Sequence, residues 1–417
     1  MESAKSLLNS RKAWVVAVVV CLCFCVNEMA EQRVPPILPL LSADMGLDAL
    51  QGGYLQSSFG WASLIAALPA GWLLEKLKPK LFMIFSVALA GLGGVIGGLT
   101  ESYNVLMVAR FISGFGVGAV AVGAATVLDE WFTPEKRGLP NAIMIACYPL
   151  ACIFMLNTSA HIANLVGWHG VWWVGAILCV ATCVIAALLL PSRTPYREVH
   201  SEELAAAKQV KRKMNLKVLL TNRSLWCVIL GFVCFDIAYV GLMTYAPSMM
   251  VDKAGVDLAT ADSVASILNV VNMFVVILNG VLLGKVGLKN RKWLPAIGLL
   301  GLGIGAFGVF HVTTIGLSIA FMMIAGLFTS FISSSFFTIG PDCIPRAAYI
   351  SAIVALVTFG QNLGVAVGPI FTGAIVTGSD WSAAGLPVLV VCIIGAVLCA
   401  FIKVQTPEEY EQTHPEN

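Results

Sequence analysis

The chain has 417 residues, of which 58% are hydrophobic and only 12% are charged, and its mean hydropathy is +0.87. A soluble globular protein carries about 25% charged residues, so this composition excludes a soluble enzyme. The net charge of +2 gives no support for a nucleic-acid partner. The composition therefore predicts an integral membrane protein whose surface faces the lipid bilayer.

Twelve apolar segments follow one another along the chain, each near the length at which a helix crosses roughly 30 Å of hydrocarbon. All are predicted to be helices, because a lipid-exposed backbone must satisfy its own hydrogen bonds. The first is not a cleavable signal peptide, since it continues through Pro35 and Pro36 without a small-residue cleavage site. The segments are 13–41, 53–74, 81–99, 105–128, 140–164, 171–191, 224–250, 260–284, 293–311, 315–340, 348–377 and 385–402.

Basic residues lie almost entirely on one side of this predicted topology. Of the 25 Lys and Arg residues, 22 fall in the termini and in the loops on the same side as the termini. Lys253 is the one basic residue in the opposite loops, while Arg33 and Arg110 lie inside segments. The positive-inside rule therefore predicts that both termini are cytoplasmic. A multi-pass protein of the bacterial inner membrane fits this pattern.

The long polar connection 192–223 divides the segments into two sets of six. We predict an N-terminal bundle over 1–191, a cytoplasmic linker over 192–223, and a C-terminal bundle with a short cytoplasmic tail over 224–417. Two loops that lie 209 residues apart are similar, Gly71-Trp-Leu-Leu-Glu75-Lys76 and Gly280-Val-Leu-Leu-Gly284-Lys285. Two related six-helix halves are typical of a transporter whose binding site lies between the halves.

These loops resemble the hallmark loop of the major facilitator superfamily, Gly-x-x-x-Asp-Arg-x-Gly-Arg-Arg/Lys. In the first copy Lys80 also matches, whereas in the second copy Gly284 replaces the acidic residue. The resemblance implies that these loops are cytoplasmic gates and that Glu75 pairs with a basic residue or a helix N-terminus. The gating residues that it implies are Gly71, Glu75, Lys76, Gly280 and Lys285.

A second motif of this family, Arg-x-x-x-Gly-x-Gly, matches Arg110 to Gly116. Gly114 and Gly118 share a helix face and permit close helix approach, while Arg110 inside the membrane needs a partner. The resemblance covers all twelve segments and implies an all-α integral membrane fold of two pseudo-symmetric six-helix bundles. Segments such as Pro35-Pro36-Ile-Leu-Pro39 look like the bacterial cyanate-permease-like and organic-anion symporter branches.

Five ionisable residues are expected inside the membrane: Glu28, Glu31, Arg33, Arg110 and Asp236. At about 2.5–3.5 kcal/mol each, they must face a cavity or one another. The functional interpretation is that Glu28, Glu31 or Asp236 exchanges a proton while the arginines attract an anion. The alternative is that Glu31–Arg33 or Glu28–Arg110 is a structural ion pair at the outer mouth.

Uncharged polar residues inside the segments could bind a solute or form helix–helix hydrogen bonds. With Arg110, they make up the candidate substrate site: Asn27, Tyr54, Gln56, Tyr239, Asn269, Asn272, Gln361 and Asn362.

A secondary transporter is the function that these features favour. No phosphate-binding loop is present in the sequence, so ATP does not drive transport, and no cofactor or metal site is predicted. The leading hypothesis is proton-coupled uptake of a small organic anion, carried out by a monomer through alternating access. Its alternative is proton-driven efflux of a cationic or amphipathic compound. A membrane enzyme using His161, His169 or His311 and a substrate sensor are the rivals from other classes.

Overall fold

The computed structural model describes residues 7–133, 136–192, 216–346 and 349–413. Within these ranges the side chains of eight residues are not described: Leu68, Gly71, Trp72, Glu75, Leu216, Ser351, Glu411 and Thr413. All regular structure in the described part is helical. Eleven helical segments there are long and apolar enough to cross a membrane, and a further 28-residue helix, Ala49–Lys76, corresponds to the predicted segment 53–74.

The first set of helices runs from the N-terminal region to residue 189. It comprises α1 (Arg11–Glu31), a 3-10 turn (Pro35–Ile37), α2 (Leu38–Met45), α3 (Ala49–Lys76), α4 (Pro79–Leu99), α5 (Tyr103–Trp131), α6 (Gly138–Val166) and α7 (His169–Leu189).

The second set follows the predicted linker, most of which lies outside the described residues. It comprises α8 (Leu216–Thr221), α9 (Arg223–Ala254), α10 (Leu258–Lys285), a 3-10 turn (Leu288–Asn290), α11 (Trp293–His311), α12 (Ile315–Thr329), α13 (Ser333–Asp342), α14 (Ile350–Val376), a 3-10 turn (Trp381–Ala384), α15 (Gly385–Ala400) and α16 (Pro407–Thr413).

The chain forms two compact units. Unit 1 consists of Met1–Leu47 and Tyr54–Ala205, and unit 2 of Asp48–Gly53 and Ala206–Asn417. The short stretch Asp48–Gly53 at the start of α3 groups with unit 2, which the sequence did not indicate. The predicted bundle boundaries otherwise remain a prediction.

Side-chain caps start several of the long helices. Ser10 accepts a hydrogen bond from the Ala13 N–H at the start of α1, and Asn222 accepts one from the Leu225 N–H at the start of α9. At the start of α10, the hydroxyl and the N–H of Thr260 donate to Asp257, at 2.6 and 3.1 Å. Because both bonds favour the carboxylate, they hold the pKa of Asp257 below its ordinary value.

The first predicted segment is not one continuous helix. α1 ends at Glu31 and is followed by the 3-10 turn that begins at Pro35. A proline nitrogen carries no hydrogen, so Pro35 and Pro36 cannot donate to the carbonyls of Glu31 and Gln32 as helix continuation requires. The predicted segment 315–340 is also interrupted, between Thr329 and Ser333.

Glycines bring the helices of each unit close together. A Cβ atom added at Gly114 or Gly118 of α5 would lie 2.4 Å from the Phe59 carbonyl oxygen or 2.3 Å from that of Ser63, both on α3. The Ser63 hydroxyl donates to the Gly114 carbonyl across this contact, at 3.1 Å. The close approach predicted from the Gly114 and Gly118 spacing is therefore confirmed.

Candidate functional site

Arg110 of α5 lies where α1 is broken, and its side chain has no exposed area. Its Nη1 donates to the Ala30 carbonyl at 2.7 Å, and its Nη2 donates to the Glu31 carbonyl at 3.1 Å. Both carbonyls lie in the last turn of α1, where helix ends leave carbonyls without helical donors. For the Glu31 carbonyl, Arg110 supplies the hydrogen bond that Pro35 cannot donate.

The remaining Arg110 contacts leave little of the guanidinium free. Nε donates to the Leu55 carbonyl at 3.4 Å, Nη2 also donates to Gln56 Oε1 at 2.7 Å, and the guanidinium carbon lies 4.5 Å from the centre of the Phe59 ring. An arginine has five N–H groups, and four of them are used here. Direct bidentate binding of a carboxylate by Arg110 would require breaking these bonds, whereas its charge acts at a distance without any change.

The guanidinium of Arg33 lies in a space beside two glycines, Gly94 of α4 and Gly175 of α7. Its Nη1 lies 3.4 Å from the Ala90 carbonyl, and its guanidinium lies 5.7 Å from the centre of the Trp172 ring. A Cβ atom added at Gly94 or Gly175 would lie 3.0 or 2.6 Å from the guanidinium. The positive charge of Arg33 thus lies against α4 and α7, and no acidic side chain among the described residues forms an ion pair with it.

Glu28 and Glu31 are buried, with exposed fractions of 5% and 7%. They lie three residues apart, on adjacent positions of one face of α1. Among the described residues, neither forms an ion pair within 4.0 Å with Arg33 or Arg110. The alternative prediction of structural pairs Glu31–Arg33 and Glu28–Arg110 is therefore wrong, because Arg110 binds backbone carbonyls and Arg33 turns toward α4 and α7.

The uncharged candidates of unit 1 differ in their surroundings. Gln56 accepts from Arg110 and its Nε2 lies 3.5 Å from the Glu31 carbonyl. Asn27 donates to the Cys23 carbonyl at 2.8 Å, and its Oδ1 accepts no hydrogen bond from the described part of the chain. Tyr54 is 44% exposed and lies apart from this cluster. Arg110, Gln56 and the Glu31 backbone are thus brought together, and Tyr54 is not.

In unit 2 the predicted residues group around α9 and α10. The Tyr239 hydroxyl donates to Asn269 Oδ1 at 2.8 Å, and both residues are buried. Asp236 lies one turn before Tyr239 and is buried where α9 approaches α14, since a Cβ atom added at Gly364 would lie 2.6 Å from its Cβ. On α14, Gln361 and Asn362 are half-buried, and their side chains make no hydrogen bond with the described residues.

Asn272 takes part in a helix–helix contact. Ser330 donates to its Oδ1 at 2.9 Å, and two turns further on, Asn279 Nδ2 donates to the Ser330 carbonyl at 3.1 Å and to Ser334 Oγ at 2.6 Å. These bonds join α10 to the interruption between α12 and α13. Asn279 was not predicted, although it is an amide inside the apolar segment 260–284.

The predicted gating residues are only partly described. The side chains of Gly71 and Glu75 lie outside the described residues, so the predicted partner of Glu75 is not addressed. Lys76 and Lys285 are exposed at the ends of α3 and α10, and a Cβ atom added at Gly280 would meet nothing within 4 Å.

The expectation of five intramembrane ionisable residues is wrong, because Asp262 is a sixth. It lies in the second turn of α10 and has an exposed fraction of 0%. The signal was present in the sequence, since Asp262 falls inside the predicted segment 260–284. Asp262 is the third residue of that segment, close to its end.

The described part of the chain is a set of helices of membrane-crossing length, with charged side chains buried inside each unit. Residues 20–354 and 290–417 match the profile of the Major Facilitator Superfamily. The chain belongs to this family, and it is a multi-pass integral membrane protein with the two six-helix halves of that fold.

Relatives of known name are matched over about half of their length. A protein of Bacillus subtilis named "Probable galactarate/D-glucarate transporter" is 27% identical over 246 residues, which are 54% of this chain and 54% of the relative. The 4-hydroxybenzoate transporter of Pseudomonas aeruginosa is 28% identical over 196 residues, 46% of this chain and 44% of the relative. The "Probable sulfoacetate transporter" of Cupriavidus necator is 24% identical over 248 residues, 58% and 57% of the two chains.

Solved structures share the fold over nearly the whole chain. A bacterial homologue of the human lysosomal transporter Spinster superposes with a TM-score of 0.77 at 15% identity, covering 96% of this chain and 100% of that one. The D-xylose-proton symporter superposes with a TM-score of 0.72 at 16% identity, covering 95% and 98%. These identities bear on the fold alone.

Proposed function

We propose that this transporter takes up a small organic anion together with protons. The observation that carries the proposal is the balance of buried charge in unit 1, where Glu28, Glu31, Arg33 and Arg110 are all buried and no ion pair within 4.0 Å joins the acids to the arginines among the described residues. With both acids ionised, these four side chains have no net charge. With both acids protonated, their net charge is +2.

Protonation and anion binding are linked by this balance. The neutral carboxyls leave the charges of Arg33 and Arg110 uncompensated in a region of low dielectric constant, which favours an anion nearby. By reciprocity, a bound anion favours protonation of the carboxyls to the same extent. Loss of the protons removes the attraction and releases the anion, so the two move together.

The substrate class rests on the relatives. Galactarate, D-glucarate, 4-hydroxybenzoate and sulfoacetate, which the relatives are named for, are all organic anions with a carboxylate. We therefore propose a small carboxylate as the substrate of this chain, with hydroxylated dicarboxylates as the first compounds to test.

The roles we propose for single residues follow the same division. Glu28, Glu31 and Asp236 exchange protons, and Arg110 positions α1 and supplies charge. The candidate substrate contacts are Asn27, Tyr54, Gln56, Tyr239, Asn269, Asn272, Gln361 and Asn362, and the candidate gating residues are Gly71, Glu75, Lys76, Gly280 and Lys285. Gln361 and Asn362 are the first of these to test, because their amides are not used within the described structure.

We also propose that the protein works as a monomer in the bacterial inner membrane with both termini in the cytoplasm. The orientation is supported by the positions of 22 of the 25 basic residues. Two six-helix halves need no second chain to form a transport pathway.

The test uses the purified protein in proteoliposomes with D-glucarate, 4-hydroxybenzoate and sulfoacetate as substrates. We expect an inwardly directed proton gradient to drive accumulation of at least one of them, and binding to strengthen as the pH falls. Glu28→Gln and Glu31→Gln mimic the protonated acids. In these variants the change of substrate affinity with pH should be smaller than in the wild type by about tenfold or more, and accumulation should fall.

Glu101→Gln is the matched control, since Glu101 is an exposed acid in the loop between α4 and α5. Accumulation of lipophilic cations against protons, with no effect of pH on carboxylate binding, would contradict the proposal and favour efflux.

A further inference from the structure

Asp262 is the most completely buried acidic side chain in unit 2. Its exposed fraction is 0%, and neither of its carboxylate oxygens receives a hydrogen bond from any described residue. Buried polar atoms in proteins are almost always hydrogen-bonded. An ionised carboxylate with neither water nor a donor is strongly disfavoured, and such a group takes up a proton instead.

Within the described part of the chain, the helices that pack against α10 carry no charged group that forms an ion pair with Asp262. These are α9, α12 and α13. α12 has no ionisable side chain, and Asp342 of α13 pairs with Arg291 at 3.1 Å. At the corresponding end of α9, Asp252 accepts from Trp381, while Lys253 donates to the Phe310 carbonyl and pairs with Asp380 at 3.4 Å.

The other acid on α9 is Asp236, which lies further along the helix beside Gly364. The tyrosines of α9 are Tyr239, bonded to Asn269, and Tyr245, whose hydroxyl lies 3.1 Å from the Pro369 carbonyl. Among the described residues, no basic side chain forms an ion pair with Asp262 within 4.0 Å.

A stripe of polar side chains leads from Asp262 along α10. Ser266 and Asn269 follow at four and seven residues, so the three share one helix face. Both are buried, and Asn269 Nδ2 donates to no described residue. Asn269 Oδ1 accepts from Tyr239, one turn from Asp236. The stripe thus runs from Asp262 to the hydrogen bond between Asn269 and Tyr239 of α9.

We propose that Asp262 is a proton-carrying carboxyl of unit 2, protonated in this structure and releasing its proton when the end of α10 becomes hydrated. Asp262 lies four residues beyond Leu258, about 6 Å along the axis, so only a short movement separates it from the aqueous side. In the release step the O–H bond of the carboxyl breaks and water accepts the proton. The reverse step reloads the carboxyl. This inference rests on the proposed proton coupling and names a residue for it.

The first measurement is infrared spectroscopy of the full-length protein in lipid nanodiscs at neutral pH. We expect the wild type to show the carbonyl absorption of a protonated carboxyl that Asp262→Asn lacks. Asp252→Asn is the matched control: it removes one acid at the same end of the adjacent helix, and its amide oxygen can still accept from Trp381. The absorption should persist in that variant. Its absence from the wild type would overturn the proposal.

The second measurement compares proton-driven accumulation of an organic acid with exchange of the same acid across the membrane, which needs no net proton movement. We expect Asp262→Asn to lower accumulation about tenfold or more and to leave exchange within about twofold. Unchanged accumulation in this variant would overturn the coupling role.

Two safeguards keep the outcomes separate. If Asp262→Asn does not fold, Asp262→Glu retains the carboxyl and must shift the same absorption, and an unshifted absorption would overturn the assignment. If the wild type moves none of the organic acids, the proposed function fails, while the infrared result still decides whether Asp262 carries a proton.

Discussion

The first helix of unit 1 and the first long helix of unit 2 occupy equivalent places in the sequence repeat but differ in their backbone. The offset of 209 residues aligns Pro35 with Thr244. α1 ends ahead of Pro35, whereas α9 continues through Thr244 to Ala254. Thr244 retains its N–H, and its hydroxyl donates to the Val240 carbonyl at 2.7 Å.

The same offset aligns Arg110 with Ile319. The arginine thus occurs in the half whose helix is broken, and an apolar residue occurs in the half whose helix is continuous. Arg110 binds the carbonyls of Ala30 and Glu31. The difference between the two helices therefore shows that a buried charge can have the structural role of binding backbone carbonyls at a helix end. Its electrostatic effect on a substrate then comes with that structural role.

Removal of Arg110 should produce the largest effect. Arg110→Ala leaves several buried carbonyls without a donor, and we expect it to lower the free energy of unfolding by about 3–5 kcal/mol. Chemical unfolding in mixed detergent micelles, followed by circular dichroism, measures this loss. Transport should fall with it.

Pro35→Ala supplies a sharper version of the same test. It restores an N–H that can donate to the Glu31 carbonyl, so the double variant Pro35→Ala, Arg110→Ala should regain about 1 kcal/mol relative to Arg110→Ala. Strictly additive effects of the two substitutions would show that Arg110 does not replace the missing proline donors.

The reverse change in unit 2 should have the next largest effect. Thr244→Pro adds a second proline to α9, three residues before Pro247, and frees the Val240 carbonyl, to which no described arginine donates. It should destabilise the protein by about 3 kcal/mol. Thr244→Ala is the control, because it removes only the hydroxyl contact with Val240 and should lose about 0.5–1.5 kcal/mol. Equal losses in the free energy of unfolding for the two variants would mean that α9 tolerates a broken helix as α1 does. The contrast drawn between α1 and α9 would then be wrong.

The fold was predictable from the sequence because its signal is spread over many residues. Twelve apolar segments of membrane-crossing length and a repeated loop specify two sets of helices, and single errors do not change the result. The break of α1 was foreshadowed by Pro35 and Pro36. The interruption after Thr329 was not, since Ser330 and Ile332 carry no comparable backbone restriction.

The site was less predictable because it depends on which way single side chains turn. The spacing of Glu31 and Arg33 in the sequence suggested an ion pair between them. In the structure, the Arg33 guanidinium instead lies beside Gly94 of α4 and Gly175 of α7, where the glycines leave room for it. Spacing along one helix carries no information about glycines on its neighbours. Asp262 differs from Arg33, because its place inside the apolar segment 260–284 can be read from the sequence alone.

Arg33 tests whether both arginines of unit 1 serve the backbone, and it should give the smallest change in stability. The repeat aligns it with Leu242, which is fully buried in unit 2. Arg33 makes only long contacts, 3.4 Å to the Ala90 carbonyl and 3.9 Å to the Cys179 sulfur, and replacing a buried charge by an apolar residue is often neutral or stabilising. We therefore expect Arg33→Leu to change the free energy of unfolding by less than about 1 kcal/mol.

The same variant should nevertheless weaken carboxylate binding, because it removes one of the two positive charges that balance Glu28 and Glu31. Arg33→Met, which better fills the length of the arginine side chain, controls for lost packing, and binding measured by calorimetry separates the two effects. A loss of stability as large as that of Arg110→Ala would place Arg33 in the same backbone role. The asymmetry between the two arginines would then disappear, and with it the view that one holds α1 while the other acts chiefly through its charge.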